Sequence, residues 1–339
     1  MKYKYILLFI MLITACKQKR VVSPSFYYWK TVYKSDTLEN AYLKQFHSQK
    51  LYVRIMDVDL DNNYSKNPVP VAPISFADSV PGTLALIPVV FIANDVLKER
   101  TEPQIKELAR KITSFVKAKT LQAGKRGYQE LQIDCDWTAT TRDHYFKLLE
   151  ELRKVNKDKV LSSTLRLHQL KNQGKSGIPP VDKVLLMCYN MGNLRQYGNQ
   201  NSILDLAEFK KYAGENLARY PKDMDIALPL FSWTVVFRDQ QYIGISKRVK
   251  WNDLIDTAMF LRQKNGLYQS RNTQTNLGLQ KNDVLRYEES NLNDIKSVAQ
   301  YLSAHLPGKP FNLLFYHLDH HLLKNYQFNE LEEINNLLR

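Results

Sequence analysis

Cysteine is scarce in this 339-residue chain, which holds only Cys16, Cys135 and Cys188. Three cysteines cannot build the disulfide framework that stabilises small secreted domains, and no Cys-His pattern with metal-ligand spacing accompanies them. A Gly-x-Ser-x-Gly elbow is missing, which argues against a serine nucleophile on a sharp strand-to-helix turn. No glycine-rich phosphate loop follows any expected strand, so no nucleotide is indicated and no cofactor is expected. The net charge is +14, yet the basic residues are spread along the chain and no nucleic-acid motif goes with them. Nucleic acid is therefore not an expected partner, while anionic head groups or an acidic glycan would be attracted modestly. The chain shows neither an internal repeat nor a low-complexity tract.

The amino terminus reads as a processing signal. Lys2 and Lys4 form a basic start, residues 6–13 are apolar but too short for a permanent bilayer span, and Ile13-Thr14-Ala15-Cys16 resembles a bacterial lipobox. That resemblance implies removal of residues 1–15, lipidation of Cys16 with palmitate-type chains, and a tether over 16–24 that leaves the remainder soluble. An ordinary secretory peptide or a short anchor is the alternative. Lys17, Gln18, Lys19 and Arg20 carry no acid that would resemble a surface-export signal, so a periplasm-facing position on the outer membrane is expected.

Residues 131–138, Leu-Gln-Ile-Asp-Cys-Asp-Trp-Thr, place two carboxylates inside a run that otherwise reads as buried strand. Strand side chains alternate, so Gln132, Asp134, Asp136 and Thr138 share one face while Leu131, Ile133, Cys135 and Trp137 share the other. Burying two unpaired acids is costly, and a polar cavity would explain them. Repulsion then raises the pKa of whichever acid is less hydrated, making it a usable proton donor near neutrality. The structural alternative, in which one Asp caps a helix or pairs with an Arg on a neighbouring strand, stands at even weight.

Apolar runs rich in β-branched and aromatic residues predict eight strands, over 26–29, 51–57, 83–92, 131–136, 160–165, 184–189, 226–231 and 311–318. Helical periodicity falls between several of them, over 102–119, 142–154, 204–212, 252–263 and 291–305, with Thr140 and Asp143 as a capping pair for the second. Such alternation predicts parallel pairing in an α/β fold, a (β/α)8 TIM-like barrel over residues 25–339. Two irregularities are expected: a long loop over 57–81 in the second unit, and an insertion at about 234–290 between strands seven and eight, with an extra strand at 242–245. Cys135 and Cys188 would lie on strands separated by a third, about 9 to 10 Å apart and beyond bridging distance.

The site of such a barrel forms where strands end. The expected ends supply Tyr28, Trp29, Arg54, Asp57, Asp59, Asn94, Asp134, Asp136, Arg166, His168, Tyr189, Asn190, Phe231, Trp233, Tyr316, His317 and Asp319. Acids, amides and flat rings together suit a sugar, since rings cover pyranose faces and polar groups bond hydroxyls. The pattern resembles the chitinase-like barrels of glycoside hydrolase family 18, whose fourth strand carries Asp-x-x-Asp-x-Asp-x-Glu. Here those positions hold Leu131, Asp134, Asp136 and Thr138, so the two inner acids match while the first acid and the catalytic Glu do not. Met187-Cys-Tyr189-Asn190 is similar to the family's Met-x-Tyr-Asp, 227–231 to its Leu-Pro-aromatic stretch, and Tyr316 stands near its eighth-strand Trp.

The resemblance implies action on a polysaccharide through Asp134 and Asp136, with Asp136 as general acid or its assistant, Asp134 setting its pKa, and Tyr189 positioning the sugar. Tyr28, Trp29, Arg54, Asp57, Arg166, His168, Asn190, Trp233, Tyr316 and His317 would bind substrate in a monomer. Thr138 cannot be the acid. The alternatives are a glycan-binding lipoprotein without catalysis and a protein-contacting barrel, which predicts an apolar mouth. Arg54 and Asp57 could be a plain salt bridge, and Arg166 and His168 could hold an anionic substituent or pair with the two acids. His317, Asp319, His320 and His321 could ligate metal, but strand-end histidines more often bond backbone or line a sugar site, and no metal is expected.

Overall fold

Extended, β-branched and aromatic segments with nearly continuous burial form eight parallel strands: β1 (Val22–Tyr28), β2 (Lys50–Leu60), β3 (Ala85–Ile92), β4 (Glu130–Cys135), β5 (Val160–Arg166), β6 (Lys183–Met187), β7 (Asp223–Pro229) and β8 (Phe311–Tyr316). In this computed structural model, which describes residues 20–61 and 66–339, they pair in sequence order and close into a ring through β1 with β8. Val22 lies opposite Phe311 on one side of β1, and Phe26 opposite Leu51 on the other. The expected (β/α)8 barrel is thus the fold. Cys16 and the expected signal segment lie outside the described residues.

The two periods of the chain explain the layers. Ile105, Leu108, Ala109, Ile112 and Val116 recur at helical spacing along Glu102–Gln122, and Tyr145, Leu148, Leu149 and Leu152 along Arg142–Val155, so each helix buries one stripe on the barrel. A buried Leu contributes about 2 kcal/mol by this means. Along β4 the other period puts Leu131 and Ile133 under these helices and Glu130, Gln132 and Asp134 inside the ring. At the closed end, Lys183 Nζ lies 3.0 Å from Glu130 and 2.6 Å from Asp225, a buried triad. Burial alone would lower the lysine's pKa, but the two carboxylates outweigh it and raise it. Above the triad the Tyr27 hydroxyl donates to Gln132 Oε1.

Several local expectations are corrected. β1 starts at Val22, inside the expected tether, because its backbone pairs with β8. Among its described residues the 57–81 segment has no helix, as expected, but it is not all loop: β2 runs to Leu60 and folds back antiparallel onto Pro68–Val71, and Ser75–Phe76 pairs with Val32–Tyr33. The predicted 252–263 helix is a single turn, Trp251–Leu254, followed by strand Phe260–Arg262. Asp253 caps the turn by accepting from the Lys250 amide, and past its end Asp256 accepts from the Ala258 amide, which competes with helix propagation. The helix from Arg142 begins without a Thr140 cap; the Thr138 carbonyl accepts from Thr141 and Arg142 instead.

Between β7 and β8 the insertion forms a five-stranded antiparallel sheet in the spatial order Gln241–Ser246, Ser232–Arg238, Val284–Glu289, Tyr268–Ser270, Phe260–Arg262. Its central strands carry two unlike faces. Trp233, Arg286 and Glu288 turn toward the barrel mouth, whereas Val236 and Leu285 pack in a small second core with Tyr287 against it.

Candidate functional site

Parallel pairing brings the carboxyl ends of all eight strands to one rim, where a cavity of about 320 Å³ opens. Its polar floor comes from neighbouring strands. Asp134, 9% exposed on β4, accepts a 2.7 Å hydrogen bond from Thr164 Oγ1 on β5. Burial first, and the nearby Asp136 second, push its carboxyl up to about 7. Asp136 is 48% exposed and paired with Arg166, whose Nη1 donates to both carboxylate oxygens at 3.1 and 2.9 Å. The other guanidinium nitrogen donates to the Asn190 carbonyl at 2.9 Å, tying β4 to the turn after β6.

Aromatic rings make the walls. Tyr316 lies 5.3 Å from Tyr189, 5.5 Å from Trp29, 5.6 Å from Phe231 and 5.7 Å from Tyr27, and Phe231 lies 5.2 Å from Trp233. The Trp233 indole donates to Glu288 Oε2 at 3.0 Å, so the insertion fixes this wall. Glu288 also accepts from the Ser202 amide at 2.8 Å and from Arg286 Nε at 2.6 Å, both in buried surroundings. Burial raises the phenols of Tyr27, Tyr189 and Tyr316, keeping them as hydroxyl donors. It pushes the His317 ring down, leaving it neutral near pH 7. Asn190 Oδ1 and His317 Nδ1, both of cavity-lining residues, are buried without a partner among the described residues. Buried polar atoms are rarely left so.

The structure gathers Trp29, Asp134, Asp136, Arg166, Tyr189, Asn190, Trp233, Tyr316 and His317 around this cavity, as the strand ends suggest. Four other expected binding residues do not line it. Tyr28 points the other way and donates its hydroxyl to the Val32 carbonyl at 2.7 Å, because Tyr27 takes the inward phase of β1. Arg54 and Asp57 form a two-point ion pair at 2.7 and 2.6 Å, with Arg54 also on the Ala72 carbonyl, so the simple salt-bridge alternative holds. His168 sits on the short helix Leu167–Lys171, beyond the cavity lining. The division of labour between the acids also differs from the expectation, since burial falls on Asp134 while Arg166 neutralises Asp136. Asp319 caps the turn His320–Leu323, from where its charge still acts on the His317 ring, and His320 faces Asp36 at 3.1 Å.

Tyr27, Phe91 and Thr164 line the cavity without having been singled out, and Met187, noted only within the sixth-strand motif, lines it too. Registration to Asp134 finds two of them: Phe91 lies opposite Asp134 on β3, and Met187 opposite Arg166 on β6. Thr138, at the position of the missing Glu, is exposed outside the cavity, bonded to Thr140 and Thr141.

No family model and no curated protein sequence matches the chain. Solved structures do. The Bacillus cereus spore cortex-lytic enzyme SleL is 15% identical, with 95% of this chain and 75% of that one covered at a TM-score of 0.52. A Chromobacterium violaceum chitinase is 11% identical over 93% of this chain and 99% of that one, TM-score 0.50. The Ostrinia furnacalis Group IV chitinase, solved in complex with allosamidin, is 11% identical over 94% and 99%, TM-score 0.51. With identities this low the likeness is one of architecture, and it agrees with the closed ring and its strand order: the chain folds as a TIM barrel similar in architecture to these structures.

Proposed function

We propose that the barrel mouth binds a pyranose unit of a polysaccharide and that Asp134 donates the proton to the leaving oxygen of its glycosidic bond, while water adds its oxygen to the anomeric carbon and its released proton restores the Asp134 acid. The observation that carries this reading is a carboxyl lifted to about 7 inside an aromatic-walled cavity, a proton donor poised at the working pH. Tyr189, Trp233 and Trp29 supply faces for the ring, and the polar side chains of Asp136, Arg166, Asn190 and His317 border the same space. The Asp136–Arg166 pair stands beside the reacting centre and tunes Asp134. Structural neighbours named as chitinases and as a spore cortex-lytic enzyme favour chitin and cell-wall glycans as first substrates.

A second reading, capture of glycan without cleavage, is favoured by Thr138, which leaves no carboxyl where the resembled family keeps its acid. Incubating residues 20–339 with a glycan panel separates the two, with new reducing ends and bound sugar measured together. Products that vanish in Asp134→Asn while binding persists support hydrolysis by Asp134. Bound sugar without products supports capture, and neither signal with any glycan removes both readings.

Lipidation of Cys16 and a periplasm-facing position on the outer membrane belong to the same proposal. Arg20 is fixed at the closed end, donating to the carbonyls of Leu338 at 3.1 Å and Leu306 at 2.9 Å. A short tether from Cys16 would therefore hold the closed end toward the membrane and leave the mouth facing away. Membrane release of Cys16→Ser, followed by fractionation, tests it.

A further inference from the structure

A second cavity, of about 530 Å³, lies between the insertion sheet and the segment that follows β8. Phe231 is a wall it shares with the mouth, but its sheet residues face the other way: Tyr287 and Glu289 alternate with Glu288, and only Glu288 bonds the mouth residue Trp233. Trp251 borders it with 43% of its surface exposed, on the single turn Trp251–Leu254. That turn is held by the Lys250 amide on Asp253 Oδ2 at 2.7 Å and by Thr234 Oγ1 on the Val249 carbonyl at 3.2 Å. The Trp251 ring leans on Tyr287 at 5.1 Å and 47°. An anchored, half-exposed indole beside a second ring is costly to leave wet, and it is a ready platform for the apolar face of a sugar.

The polar groups around the rings select the class of sugar. Among the described residues Asn252 makes no side-chain hydrogen bond and Asn325 Nδ2 only a 3.3 Å one, so both amides have capacity for hydroxyls. Glu289 and Glu330 border the cavity without an ion pair among the described residues. Two carboxylates without a cation repel uronate or phosphate groups and accept hydroxyl protons. We propose that this groove is a second glycan-binding site, which stacks a neutral pyranose chain on Trp251 while the mouth engages the same or another strand. The ligand class rests on the glycan reading of the protein, but the site shares no polar group with the proposed chemistry at Asp134. Linking two weak sites on one polymer raises its retention through effective concentration, without new contacts in the mouth.

The chain has four tryptophans, and their indole N–H signals in a 15N-labelled sample report the two sites separately. Trp29 and Trp233 read the mouth, Trp251 reads the groove, and fully buried Trp137 is the internal control. Trp251→Phe and Trp233→Phe assign the signals. The probes are the tetrasaccharides of β-1,4-linked N-acetylglucosamine and of β-1,4-linked glucose, with tetragalacturonate as the anionic counterpart. Stacking of this kind corresponds to dissociation constants of about 1 mM, so titration to about 10 mM approaches saturation. The expected result is a saturable shift of the Trp251 signal with a neutral tetramer, a still Trp137, and no shift with tetragalacturonate. A Trp251 signal that stays fixed with both neutral tetramers overturns the second site, whatever the mouth does. An equal response to tetragalacturonate overturns it as well. Movement of Trp251 with Trp29 and Trp233 unmoved would sustain the groove and remove the mouth reading.

Discussion

Asp134→Asn should pass from neutral to stabilising as pH rises from 4 to 8. The buried carboxyl keeps its proton up to about pH 7 in the folded chain, while the unfolded chain loses it near the ordinary value of 3.8. The folded pKa is therefore the raised one, so its contribution to stability is complete below about pH 4 and is lost as pH climbs toward 7. A rise from 3.8 to about 7 corresponds to about 4 kcal/mol, at about 1.4 kcal/mol for each power of ten. Asparagine keeps an acceptor for Thr164 Oγ1 and carries no proton to lose. The variant should match the native chain near pH 4 and exceed it by about 4 kcal/mol at pH 8. Urea unfolding followed by tryptophan fluorescence at intervals from pH 4 to 8 measures the difference. Parallel curves for the two proteins would show that Asp134 is not held protonated, and the proton-donor proposal would go with it. If hydrolysis is found, the same proton predicts kcat/KM falling tenfold for each pH unit above about 7.

Asp136→Asn removes the nearby negative charge that lifts Asp134, and Arg166→Met removes a positive one that lowers it, so the alkaline limb of activity should move to lower pH in the first and higher in the second; movement in the same direction would refute the electrostatic account. Glu288→Ala leaves Arg286 buried with only carbonyl partners and frees the Trp233 indole, so a loss of about 3 kcal/mol in urea unfolding is expected together with weaker glycan binding in the mouth. Leu152→Ala empties a fully buried position on the helix Arg142–Val155, and calorimetry should read a loss of about 3 kcal/mol while glycan affinity stays unchanged.

Much of the frame is legible in the residues. The period of two along 131–137 and the period of 3.6 along 102–122 and 142–155 come from side-chain direction alone, and they suffice to predict parallel strands under helices. Placement at a strand's carboxyl end then predicts the rim, which is why Trp29, Tyr189, Asn190, Trp233 and Tyr316 meet there. Expectations failed where a contact between distant segments overrides local preference. The 252–263 segment has helical spacing, yet Phe260–Arg262 pairs with Tyr268–Ser270 and the helix stops after one turn. At β1 the end was visible but the phase was not, because whether Tyr27 or Tyr28 faces inward depends on the neighbours β2 and β8.

By itself the sequence determined the alternation of strands and helices, the pairing of two acids on one strand face, and the place of the insertion, since each follows from local periodicity. Only the tertiary structure decided which acid is lifted and which is neutralised, because Thr164 and Arg166 reach Asp134 and Asp136 from a strand thirty positions away in the chain. It also decided that the insertion turns Glu288 to the mouth and Tyr287 to a second groove. A pKa and a sheet face depend on what lies across a barrel or a ladder, and those neighbours exist only once the ring has closed.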